Sequence, residues 1–177
     1  MAEAGWGLNS ALHVVSDGAP WIQQQCAANF GSHATFLLDF FHLCEYLAAA
    51  APGAATHPRW LQVQKDRLKR GQAQRVLDAL QPFLEPDHIP DEQAPTRAAH
   101  RYLLNRLDQV DYPHALKHEL PIGSGMIEGG HRHVLQKRLK ISGAWWHYNN
   151  ASAMAHLRVC RANQKEDSYW NQLRKAA

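Results

Sequence analysis

Only two segments of this 177-residue chain read as β-strand, and both lie within its first 41 residues. Residues 11–16, Ala-Leu-His-Val-Val-Ser, are a short apolar run stopped by Asp17-Gly18, a pair that favours turns. Residues 34–41, Ala-Thr-Phe-Leu-Leu-Asp-Phe-Phe, give the second. Between them residues 20–29, with Pro20 in the first turn, suit a helix. Strand, helix and strand make one βαβ unit, which places the two strands parallel and adjacent. A two-stranded parallel sheet is too small to stand alone, which points to strands missing from the chain.

The rest reads as helix, so the expected class is α/β, predominantly α. A Leu/Ala-rich helix runs from His42 to Ala51 and ends at Pro52-Gly53, in a linker over 52–58. Trp60, Leu61, Leu68, Leu77, Leu80 and Leu84 follow helical spacing, with a break between two helices near Gly71. Residues 85–95 are acidic and Pro-rich, a loop. Residues 96–109 form a helix with Tyr102, Leu103, Leu104 and Leu107 as apolar positions. Pro121-Ile122-Gly123-Ser124-Gly125 is a turn whose Ser124 can cap a helix over 126–140. A last helix covers 151–164.

Apolar residues are 45% of the chain and charged ones 20%, which excludes wholesale disorder. No apolar run approaches the roughly 18 residues of a membrane span, and no basic leader precedes an apolar stretch. Cys26, Cys44 and Cys160 are odd in number and far apart, which argues for the reducing cytoplasm over a disulfide scaffold. The net charge of +3 hides an asymmetry. Residues 1–58 carry four acids (Glu3, Asp17, Asp39, Glu45) and no Lys or Arg, while all 19 basic residues follow. Positions 129–165 hold no acid but seven cations: Arg132, Lys137, Arg138, Lys140, Arg158, Arg161 and Lys165. An acidic front and a basic back suit a polyanion held beside a carboxylate site.

Two carboxylates stand out. Asp17 ends a strand and precedes glycine, where open α/β sheets gather ligands, although Asp-Gly is equally a plain turn. Glu128 shares a helical stripe with Leu135 and Leu139, so it is expected to face the core. The alternative is a first-turn Glu favoured by the helix dipole and paired with Arg132. Beyond it, the basic residues interleave with Trp145, Trp146, His147 and Tyr148, which suits phosphate contacts and base stacking. One of the adjacent tryptophans is expected in the core. Asp39-x-x-His42 and Glu128-x-x-His131 match the spacing of di-iron carboxylate pairs, a scheme that needs two further inward glutamates. Without a Cys-x-x-Cys pair, structural zinc has little support.

Four blocks, in order, resemble the C-terminal portion of a bacterial insertion-sequence transposase of the DDE class, of the ISKra type and distantly similar to the Mutator-like group. Val14-Val15-Ser16-Asp17-Gly18-Ala19-Pro20-Trp21-Ile22 resembles the segment of the second catalytic Asp. The stretch Leu38 to Leu47 resembles the next strand and helix, with the (Cys/Asp)-x-x-His element at Asp39 and His42. Pro121-Ile122-Gly123-Ser124-Gly125-Met126-Ile127-Glu128 resembles the segment of the third acid, and Arg138 to Trp146 the block after it.

The resemblance implies a partial RNase H-like core with an all-helical insertion. Residues 1–51 would be the second half of that core, 52–120 the insertion, and 121–177 the third-acid helix and a C-terminal helix. It assigns Asp17 and Glu128 as catalytic ligands of a Mg²⁺ pair; the interleaved basic and aromatic residues Arg132, Lys137, Arg138, Lys140, Trp145 and Trp146 are then expected as DNA contacts. Two such ions about 3.5–4 Å apart stabilise both oxygens of an in-line phosphoryl displacement. The implied partners are transposon-end and target DNA, with the missing N-terminal half or a second copy of the chain. The family's first Asp has no counterpart, because residues 1–16 hold Glu3 as their only acid. Asp39, placed in a strand, is expected to point elsewhere. The chain is therefore expected to be a truncated transposase, inactive alone; the alternative is a non-enzymatic helical DNA-binding protein or repressor derived from one.

Overall fold

The computed structural model describes residue 7, residues 9–51 and residues 57–176. Glu3 and residues 52–56 of the expected linker lie outside the described residues. Both strands form, β1 at Leu12–Ser16 and β2 at Ala34–Leu38. They pair in parallel from Leu12↔Ala34 to Ser16↔Leu38. Helix α1 (Pro20–Phe30) makes the crossover, with Pro in its first turn.

The second strand stops three residues short of the expected 34–41, and helix α2 (Phe40–Ala50) starts two residues before the expected His42. The cause is Asp39. Its Oδ1 accepts from the amides of Phe41 at 2.7 Å and His42 at 3.1 Å, the work of an N-cap. Phe40 and Phe41 carry strand propensity, but an Asp that satisfies two helix-start amides overrides it. Asp39 is thus a cap between strand and helix, not a strand residue.

Helix α2 buries Phe40, Leu43, Cys44, Leu47 and Ala50, a stripe at helical spacing. It packs against α5 (Pro95–Leu104), which buries Thr96, Ala99, Tyr102 and Leu103. Helices α3 (His57–Lys69) and α4 (Ala73–Leu80) add Leu68, Val76, Leu77 and Leu80 to the same core. The break between them falls where expected, at Gly71 with φ +72°. Across the 85–95 loop, the Glu85 carboxylate takes the amides of Thr96 and Arg97 at 2.9 and 2.8 Å and so starts α5. The expected helix over 96–109 ends at Leu104. Arg106 leaves helical geometry, and its Nη1 takes the Tyr102 carbonyl at 3.1 Å, the acceptor its own amide would use if the helix continued. A short helix not expected from sequence, α6 (Tyr112–Lys117), follows with Asp111 capping the His114 amide.

The chain divides into two compact units, Met1–Ser124 and Gly125–Ala177. The second holds α7 (Gly125–Gly130), a π-helical turn over His131–Gln136, α8 (Lys137–Leu139), α9 (Tyr148–Ala162) and α10 (Glu166–Ala176). The expected 126–140 segment is helical but carries the wide turn in its middle, and α10 was not expected. The fold is mostly helical with a two-stranded parallel sheet, α/β and predominantly α. All three cysteines are free, and burial pushes the Cys44 thiol up to about 11. Among the described residues no helix is long and apolar enough to cross a membrane.

Candidate functional site

In the first unit, Asp17 stands exposed at the C-terminal end of β1. Its Oδ1 accepts from the Ala19 amide at 3.1 Å, an Asp turn, and this is the carboxylate's one hydrogen bond among the described residues. Its backbone is gripped by Tyr102 of α5 and by Arg106 just beyond that helix. The Tyr102 hydroxyl donates to the Asp17 carbonyl at 2.5 Å, and Arg106 donates Nη2 and Nε to the Gly18 carbonyl at 3.1 and 3.3 Å. The Arg106 guanidinium lies 4.2 Å from the Tyr102 ring centroid, and Tyr102 stacks on Tyr46 at 4.1 Å. Gly18 is required here: φ is +76°, and a Cβ would strike the Arg106 side chain and Leu38 Cδ1. Sequence reasoning missed Tyr102 and Arg106. Their spacing of four within the expected 96–109 helix, aromatic then cation, was the available signal.

Asp39, His42, Gly123 and Ser124 converge on the start of α2. The buried Asp39 carboxylate is saturated: Oδ1 holds the two α2 amides, and Oδ2 accepts the Ser124 amide at 2.7 Å and hydroxyl at 2.5 Å. Burial pushes its pKa up. The Ser124 hydroxyl and amide and the His42 and Phe41 amides outweigh that, leaving it below the usual carboxylate range. The Phe40 amide donates to the Ile122 carbonyl at 2.9 Å, and a Cβ at Gly123 would lie 2.5 Å from Phe41 Cδ2. The 121–124 loop is therefore pinned onto α2, and the Ser124 hydroxyl is spent on Asp39 instead of the following helix. His42 offers Asp39 only its backbone; its ring packs edge-on against Tyr46 and Tyr102, with Nδ1 3.3 Å from Glu45. The Asp39-x-x-His42 spacing does not form a ligand pair.

In the second unit, Gly125 opens α7 and Glu128 is exposed. The expectation of a core-facing Glu128 fails: α7, the π turn and α8 bury none of their residues, so the stripe with Leu135 and Leu139 meets no core there. Among the described residues Glu128 makes no ion pair with Arg132. Arg132, Lys137 and Lys140 line one open depression of about 370 Å³ together with His133 and Gln136. Arg138 departs from this group and lies over Trp146, 5.4 Å from its ring centroid. The two tryptophans part company: Trp146 is half-buried with its Nε1 enclosed, whereas Trp145 is 98% exposed. Arg158, also missed as a site residue, donates Nε to the Val134 carbonyl and Nη2 to the His133 carbonyl, both at 2.9 Å.

Hard divalent ions take exposed carboxylate oxygens and complete their shell with water and substrate phosphate. Asp17 and Glu128 have that donor chemistry. Asp39, with four hydrogen bonds already accepted, does not. Among the described residues no three His, Cys, Asp or Glu side chains gather to hold a metal.

A family model described as an uncharacterised protein family, UPF0236, matches residues 7–173. No curated protein matches the chain, and no solved structure does.

Proposed function

We propose, from the premise that this chain belongs to the uncharacterised protein family UPF0236, that it is the C-terminal portion of a DDE transposase of the ISKra type. In this reading the second unit holds the DNA backbone, and Asp17 and Glu128 are two of the three catalytic carboxylates.

The observation that carries the reading is the convergence of Arg132, Lys137 and Lys140 on one depression, in a stretch where residues 129–165 contain no acid. Uncompensated cations release counterions when they meet phosphates, so they bind duplex DNA in a salt-dependent way. The exposed Trp145 adds a face on which an unpaired base can stack. The Asp17 carboxylate is presented on a turn whose backbone Tyr102 and Arg106 fix, so its orientation does not depend on a mobile loop. Asp17 and Glu128 each offer the exposed carboxylate oxygens that Mg²⁺ takes, and that ion would supply stabilisation of charge on the attacking and leaving oxygens of a phosphodiester. The reading takes Asp17 and Glu128 as two members of a three-carboxylate set, so cleavage is expected where a third carboxylate joins them.

A second reading, a non-enzymatic DNA-binding protein or repressor, draws support from Glu128, which is exposed in the first turn of α7, where the helix dipole alone favours it. Duplex binding by the full chain, measured against salt, tests the shared part. Three phosphate contacts predict a slope of log affinity on log salt near about −3. Salt-independent or absent binding contradicts both readings. Asp17→Asn and Glu128→Gln are expected to leave that slope in place, because phosphate contacts come from Lys and Arg.

A further inference from the structure

We infer that the π turn at 131–136 is a seat for a phosphate group, and that Arg158 is the positioning residue that keeps the seat in shape. Arg132, Lys137 and Lys140 are its direct ligands. The inference rests on the DNA-binding reading for the macromolecule that brings the phosphate, but its chemistry is read from the turn itself.

In an α-helix, residues five apart lie about 140° from one another around the axis, at about 100° per residue. Arg132 and Lys137 would then face different sides. In a π turn the backbone bonds run from i to i+5, so residues five apart become neighbours. Here Arg132 and Lys137 share one lining with His133, Gln136 and Lys140, whose i, i+4 spacings join them on one face. The depression of about 370 Å³ falls within the roughly 300–1,000 Å³ span of small-ligand clefts, room enough for a phosphodiester group. Its lining has donors and no carboxylate, and the nearest acid downstream in sequence, Glu166, is paired with Arg161 at 3.6 Å.

A wide turn is uncommon and concentrates at functional sites, and this one is tied to a neighbouring helix. Arg158 does this from α9, placing two guanidinium nitrogens on the His133 and Val134 carbonyls at 2.9 Å each. The planar fork of arginine spans two such acceptors, which a lysine ammonium at the end of a flexible stem does not. Arg158 does not line the depression. Its effect on binding must therefore pass through the turn.

The test titrates the full chain, by calorimetry, with a short DNA duplex and separately with inorganic pyrophosphate. Lys137→Ala, which leaves the Arg158 bonds intact, is expected to weaken both ligands about tenfold and to flatten the DNA salt slope by about one. Arg158→Gln and Arg158→Lys are expected to weaken both ligands to a similar extent, although the lysine variant keeps the charge. Should Arg158→Lys bind like the unaltered chain, the positioning role is overturned and charge alone explains Arg158. Should the Arg158 variants lose helical circular dichroism, Arg132→Ala and Lys137→Ala together decide the seat, because they must abolish pyrophosphate binding. DNA binding that ignores these two substitutions overturns the seat and leaves the DNA reading standing on other contacts. Pyrophosphate binding that depends on Lys137, without DNA binding, upholds the seat for free phosphate compounds and overturns the DNA reading. Binding of neither ligand overturns both.

Discussion

The Asp39 carboxylate and Ser124, eighty-five positions apart, are joined by two hydrogen bonds to one oxygen, from the Ser124 amide at 2.7 Å and its hydroxyl at 2.5 Å. The other oxygen starts α2. One buried side chain therefore ends β2, begins a helix and fastens the loop that leads to the Glu128 segment.

Replacing Asp39 by Ala removes the cap and both Ser124 contacts, and it is expected to cost about 3 kcal/mol of stability in urea unfolding. Ser124→Ala loses only the hydroxyl bond to a charged acceptor and is expected to cost about 1–2 kcal/mol. Equal costs for the two would mean that the cap and the Ser124 amide bond contribute nothing.

Because the folded Asp39 carboxyl titrates below its ordinary value, its stabilisation is fully present above the unfolded value near about 3.9 and is lost as pH falls through the lowered folded value. Urea midpoints measured between about pH 5 and pH 2 should fall less steeply for Asp39→Asn than for the unaltered chain. Parallel acid limbs would contradict the assignment.

Gly18 sits at φ +76° with no room for a Cβ beside Arg106 and Leu38. Gly18→Ala is expected to destabilise by more than about 1 kcal/mol, the cost of the conformation alone, because Arg106 must also move. Retained thermal stability would show that the grip on the Asp17 turn is loose.

Tyr112 is fully buried against Phe40, and its hydroxyl has no partner among the described residues. Burial drives its pKa upward. Removing an unpaired buried hydroxyl relieves a desolvation cost, so Tyr112→Phe is expected to be neutral or stabilising, whereas Tyr112→Ala should cost about 3–5 kcal/mol. A clear loss in the Phe variant would reveal a partner for the hydroxyl.

Trp145 and Trp146 should separate cleanly. Trp145→Ala is expected to weaken single-stranded DNA binding by about 1–3 kcal/mol with no change in melting temperature. Trp146→Ala should lower the melting temperature, because its indole is enclosed and carries Arg138.

Much of the first unit was legible because its signals are local. The apolar run before Asp17-Gly18 and the Leu stripe of α2 need only their own neighbours to declare themselves. Asp39 was misplaced in a strand because Phe40 and Phe41 carry strand propensity, while the cap that decides the matter depends on side-chain geometry. Helices α6 and α10 did leave signs: Asp111 before Pro113 for one, and Glu166 and Asp167 ahead of Arg174 and Lys175 for the other. The π turn could not be read, since the Arg158 fork that satisfies it comes more than twenty residues later. For the same reason the grip of Tyr102 and Arg106 on the Asp17 turn stayed out of view, although Asp17 itself, at a strand end before glycine, was recognisable.

The central claim is that Asp17 and Glu128 serve one metal-dependent DNA cleavage. Nicking of supercoiled plasmid tests it most directly, with this chain joined to a polypeptide segment that carries the third carboxylate. The account predicts Mg²⁺-dependent nicking that disappears in both Asp17→Asn and Glu128→Gln while DNA binding persists. Nicking that survives either substitution, or DNA binding with no nicking in the joined protein, would contradict it.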